Sequence, residues 1–381
     1  LRLFTNVIRS IFTTNFAIAP DESVLIFTDT VRDDEAVTEP DLSRRQRLRD
    51  IALLMSEIGR TFTKRVTYVE YPALPGHGIE PPVELWQAAF GKKVVADLDR
   101  AGLLTNILAK TIDAENIEKA ASILKKHAND AVDAVIAIAN FSTSHTRFRE
   151  FLTRICGARY ASMPLFDVSM FEGPMCIDWK ALEKRTRAIA KTVSAAETVT
   201  VTTPDGTTIT FSKKGRAALP DTGMLTKPGS FSNLPAGEVF FAPVEGSAHG
   251  TMVLRWAPMR ELASPITVTV REGLVTAVDG SEPYAAMLRR KLDERPENRN
   301  IAEFGIGTNN RARRPDNILE SEKILGTVHI AMGDNSAFGG TVKTPFHQDF
   351  VFFRPTITLK AADGTSSVLM TNGHLTDHPG T

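Results

Sequence analysis

The sequence has little with which to cross-link itself, cradle a nucleotide, span a bilayer or hold a polyanion. Cysteine occurs twice in 381 residues, at Cys156 and Cys176, and not as a C-x-x-C pair. No disulfide framework is therefore expected, and a reducing compartment is. No G-x-G-x-x-G or G-x-x-x-x-G-K follows a strand-like segment, which disfavours a phosphate-binding loop. There is no apolar run of about 20 residues, and Arg9 with its polar neighbours interrupts the N-terminal stretch LRLFTNVIRSIFTTNFAI. A cytoplasmic chain with no membrane partner is the expectation. Neither sign of charge dominates, since 45 Lys and Arg face 45 Asp and Glu without a basic block, so no nucleic-acid partner is expected.

What is present alternates at first and then changes character. The apolar run SVLIFTD at 23–29 suits a buried parallel strand, a helix capped by Ser43 follows, and RVTYVEY forms the next strand. A helix near 82–91, a strand-like KKVVADL, a helix at about 114–128 and the strand DAVIAIA extend the pattern. From 197 onward the pattern is mainly β, beginning with a hairpin around Asp205-Gly206 and interrupted by a helix near 283–293. The fold class expected is an α/β N-terminal domain, residues 1–170, followed by a β-rich α+β metal-binding domain, residues 171–381.

The chemistry concentrates late in the chain. TVHIAMGDNSAFGGTVKTPFHQD places His329 on one strand and, after a glycine-rich turn, His347 and Asp349 on the next, where residues two apart share a face. Two imidazoles and a carboxylate suit zinc, iron or cobalt. Two glutamates, Glu238 in NLPAGEVFFAP and Glu303 in IAEFGIGTN, lie among apolar residues where an unpaired carboxylate costs several kcal/mol. Together the five residues suffice for two divalent ions sharing a carboxylate, an arrangement that activates water. Lys323 reads as a solvated helix lysine, or as an ammonium set against a carboxylate of the site. Arg311, Arg313 and Arg314 can meet a substrate carboxylate or merely a neighbouring chain, whereas His374 and His378 read as solvent-facing.

NLPAGEVFFAP, IAEFGIGTN, SEKILGTVHIAMG and HQD resemble the M29 family of metallo-aminopeptidases, the thermophilic aminopeptidase or aminopeptidase T type. The resemblance spans nearly all of the chain. It implies two zinc, cobalt or manganese ions held by Glu238, Glu303, His329, His347 and Asp349, a peptide or other small-molecule substrate, hydrolysis of the N-terminal peptide bond, and a homodimer. Family aminopeptidases carry a tyrosine shortly after the first histidine, but GDNSAFGG offers only Phe338. The same superfamily includes enzymes similar to 2,5-dihydroxypyridine dioxygenase. For these, His329, His347 and Asp349 would form the two-histidine, one-carboxylate triad of a single Fe(II), and the glutamates would be surplus. A structural or binding role without metal is a third class. His249, in EGSAHG, reads either as a satisfied loop histidine or as a residue that folds back through Gly246 and Gly250 toward Glu238 and joins Glu238 and Glu303 in catalysis, supplying the proton transfer that Phe338 cannot.

Overall fold

The computed structural model describes residues 2–376, with residues 2 and 3 described by backbone alone, and divides into two compact units. The first comprises the chain up to Trp179 together with Gly223–Pro235, and the second Lys180–Thr222 and the chain from Ala236 onward. The division thus falls at 179/180 where the sequence suggested 170/171, and a later segment returns to the first unit. That segment supplies an edge strand, a long-range pairing that no local pattern announces.

In chain order the strands are β1 (Ser23–Thr30), β2 (Arg65–Pro72), β3 (Ala134–Ala137), β4 (Arg159–Ser162), β5 (Thr198–Thr202), β6 (Thr208–Ser212), β7 (Leu219–Asp221), β8 (Phe231–Asn233), β9 (Glu238–Phe241), β10 (His249–Ala257), β11 (Arg260–Arg271), β12 (Leu274–Asp279), β13 (Ile301–Gly307), β14 (Thr327–Gly333), β15 (His347–Phe353), β16 (Thr356–Lys360), β17 (Ser366–Thr371) and β18 (His374–Leu375).

The first unit is a parallel sheet in the order β2-β1-β3-β4-β8. β1, β3 and β4 are buried almost throughout because crossover helices cover the sheet, which accounts for the apolar runs of β1 and β3. One of its cores is aromatic, with Phe27, Trp86, Phe90, Phe148 and Tyr160 all closed to solvent. KKVVADL is a helix, Lys92–Arg100, and not a strand. Val94, Val95 and Leu98 fall on one helical face and are buried, so a 3.6-residue period prevails over β-branched propensity. The helix Glu39–Gly59 starts before Ser43, and Thr38 caps it by accepting from the Asp41 amide.

In the second unit an eight-stranded sheet, β12-β11-β10-β6-β5-β16-β17-β18, and a five-stranded antiparallel sheet, β15-β14-β13-β9-β7, share one core. Strand alternation decides what enters it. Val239 and Phe241, Phe304 and Ile306, Val328 and Ile330, and Phe350 and Phe352 are all core residues. Their neighbours in sequence project from the opposite face of the five-stranded sheet.

Candidate metal centre

That opposite face carries every ligand expected from the sequence. Glu238 begins β9, Glu303 lies in β13, His329 in β14, and His347 and Asp349 in β15. The register brings these strands side by side, with Glu303 opposite Ala331, Ala331 opposite Asp349, and Gly333 opposite His347. His329 is opposite Gly305, where an added Cβ would lie 2.0 Å from the imidazole. The glycine in AEFGIG is therefore the space that the ring occupies.

The five side chains form two adjoining groups that could each hold a metal ion, Glu238, Glu303 and His329 in one and Glu303, His347 and Asp349 in the other. His329 Nε2 is 3.3 Å from Glu238 Oε2 and 3.6 Å from Glu303 Oε1. His347 Nε2 is 3.4 Å from Glu303 Oε2 and 3.3 Å from Asp349 Oδ2. Charge-assisted hydrogen bonds are shorter, at about 2.7–2.9 Å, whereas donors about 2.1 Å from a tetrahedral ion stand roughly 3.4 Å apart. The spacing therefore suits the edges of a coordination shell. Glu238 Oε2, which faces His329 Nε2, is also buried with no hydrogen-bond partner, a costly condition for an atom with no ligand to meet. The residues present fit a divalent ion at each group.

Electrostatics agree. Burial opposes charge on His329, yet the facing Glu303, Glu238 and Glu322 push its pKa up to about 9. Burial likewise opposes charge on His347, and Asp349 and Glu303 raise its pKa well above the usual range. Burial would raise the Glu303 pKa, but the two imidazoles hold it below the ordinary carboxylate range. Without metal, the imidazolium charges do part of what a dication does. His347 Nδ1 is 2.8 Å from the Asp334 carbonyl oxygen, a contact in which the ring N–H donates and which leaves Nε2 facing Glu303 and Asp349.

The structure changes three expectations. Lys323 is fully buried, with Nζ 2.7 Å from Glu238 Oε1 and 3.1 Å from Glu322 Oε2. The solvated-lysine reading fails because a turn between the helix Ile318–Ser321 and β14 directs the side chain inward. Glu322 was not anticipated; burial raises its pKa to about 8 against the pull of Lys323, and its place before a lysine in SEKILG was the one available signal. His249 is exposed at the start of β10, registered with Thr210 in the eight-stranded sheet, and its Nδ1 lies 3.2 Å from the Ser247 carbonyl oxygen. It does not join the cluster, because β10 pairs with β6 instead of turning back along β9. His329, His347 and Asp349 do not form one ligand group among the described residues, since each histidine is flanked by two carboxylates. Arg314 pairs with Asp316, His374 lies in β18, and His378 is outside the described residues.

A two-unit α/β chain with a buried carboxylate–histidine cluster on an antiparallel sheet is, as a class, a candidate divalent-metal enzyme. Among the described residues no helix is long and apolar enough to cross a membrane. Residues 173–377, which include the whole cluster, match the family NicX: 2,5-dihydroxypyridine 5,6-dioxygenase, and the chain belongs to that family. The 2,5-dihydroxypyridine 5,6-dioxygenase of Pseudomonas putida KT2440 is 30% identical over 148 residues, 35% of this chain and 42% of that protein, so the match spans less than half of the relative's length. Two solved structures share the fold. The 2,5-dihydroxypyridine dioxygenase of Pseudomonas putida KT2440 has a TM-score of 0.65 at 18% identity, covering 98% of this chain and 97% of that one. Wild-type AmpT from Thermus thermophilus has a TM-score of 0.57 at 15% identity, covering 99% of each.

Proposed function

We propose that the protein is a two-ion metallo-aminopeptidase, hydrolysing the N-terminal peptide bond of a peptide. The observation that carries this reading is Glu303, whose two oxygens face two different histidines and so join two metal-binding groups. Divalent ions held there would polarise the scissile carbonyl and lower the pKa of water. The chain's own residues set the rest. Lys323 commits Glu238 Oε1, leaving Oε2 as the atom free to face an ion or accept a proton from water. The Asp334 carbonyl oxygen fixes the His347 tautomer. The cluster's three carboxylates suit a positively charged substrate amine. The resemblance to M29 aminopeptidases and the fold shared with AmpT support the same reading, and the resemblance further supports a homodimer, which light scattering at micromolar concentration would reveal.

Family membership favours a second reading, a non-haem Fe(II) enzyme opening a dihydroxypyridine-like ring. One experiment separates the two. The purified protein is loaded with zinc, cobalt, manganese or Fe(II), its metal is counted, and it is offered leucinamide or 2,5-dihydroxypyridine with oxygen uptake recorded. Two ions per chain and free leucine are expected. One ferrous ion with oxygen consumption and no amino-acid release would transfer the assignment to ring cleavage.

A further inference from the structure

We infer that Leu219, Phe240 and Phe338 form a preformed apolar wall beside the metal cluster and select substrates with a branched aliphatic or aromatic group next to the reacting end. This specifies the substrate class for the function proposed above and rests on that reading.

Phe240 is two residues after Glu238 on β9 and so shares its face, while Val239 and Phe241 enter the core. Leu219 is directly opposite Phe240 in the β7–β9 pair, projects to the same side and remains 37% exposed. Phe338 comes from the loop between β14 and β15. Its ring centroid is 5.7 Å from that of Phe240 and 6.1 Å from that of His347, edge-on to both. None of the three packs in the shared core of the unit. Three apolar side chains left partly open, running from Leu219 through Phe240 to Phe338 beside His347, offer an apolar contact where a substrate group would lie.

The loop carrying Phe338 is held by polar anchors. Glu245 Oε1 accepts from Asn335 Nδ2 at 2.9 Å and from the Thr341 amide at 2.8 Å, and its other oxygen pairs with Arg216. Burial acts to raise the Glu245 pKa, but these donors hold it down to about 2. Asn335 is fully buried and fills the space beside Gly340, where an added Cβ would be 1.9 Å from its side chain. Thr344 donates its amide to Asp334, whose own amide donates to the Phe346 carbonyl. A wall held this way loses little freedom on binding, so its apolar contact appears in affinity.

The test uses cobalt-loaded protein and calorimetric binding of two metal-directed probes, L-leucine hydroxamate and glycine hydroxamate, which differ by the apolar group. Leucine hydroxamate is expected to bind at least about tenfold more tightly, as isobutyl burial in an apolar site allows. Phe338→Ala and Phe240→Ala are each expected to bring that ratio within about threefold, mainly by weakening the leucine probe, while Phe338→Leu keeps most of it. A wild-type ratio near one, or a ratio unchanged in both alanine variants, would overturn the wall. Failure of the peptidase reading registers separately, as absence of leucine release from leucinamide, because hydroxamates bind the metal whichever reaction it serves.

Discussion

Two buried carboxylates of the first unit and two of the second are held in opposite ways. In the first, Asp29 accepts from the Asn140 and Phe141 amides, at 2.6 and 3.0 Å, and Glu80 accepts from the Arg147 and Phe148 amides at the start of the helix Arg147–Arg154. Each oxygen is used by backbone, which ties strand ends and a helix N-terminus together. In the second unit, Glu238 and Glu303 face imidazoles at distances too long for good hydrogen bonds, and Glu238 Oε2 has no hydrogen-bond partner. Carboxylates satisfied by amides hold structure, whereas carboxylates turned toward other ligands leave coordination capacity for something to be bound.

The sharpest way to test this contrast is Glu303→Ala. Loss of the residue shared by both groups is expected to reduce bound metal at least about tenfold by elemental analysis, while circular dichroism stays native. Retention of two ions would remove Glu303 from the centre. Gly305→Ala should come next, because its Cβ would lie 2.0 Å from the His329 ring and must displace it. Metal affinity falls severalfold or more, and a titration matching wild type would show the ring to be free to move.

Glu80→Gln tests the other side. Burial raises the Glu80 pKa from its ordinary 4.5 to about 7, with the two amides only partly offsetting it. A carboxyl raised in the folded state contributes stability that is fully present below pH 4.5 and is lost as pH rises through about 7. That loss is on the order of 3 kcal/mol. Urea denaturation of Glu80→Gln from pH 4.5 to 7 should show a flatter decline than wild type with metal content unchanged; an equal slope assigns the titration elsewhere. The smallest effect is expected of His249→Asn, which should preserve both metal content and turnover. A severe loss of turnover would restore His249 to the mechanism.

Much of the second unit was legible because antiparallel strands write their faces into alternate residues. In HQDFVFF the polar set at His347 and Asp349 and the core set at Phe350 and Phe352 separate by parity alone. The five candidate ligands followed from residue type and resemblance. Lys323 did not, since an ammonium buried against Glu238 and one in water look the same in SEKILG. KKVVADL misled because a short apolar run fits helix and strand alike until its packing partners are known.

The sequence by itself determined much of the alternation of elements and offered the candidate donors, since each depends on side-chain size, period or polarity within a few residues. Only the tertiary structure decided that Glu303 stands between the two histidines, that Lys323 neutralises Glu238, and that His249 belongs to the other sheet. Those outcomes depend on which strands pair and in what register, and long-range pairing is set by the burial of a whole sheet, not by any one segment.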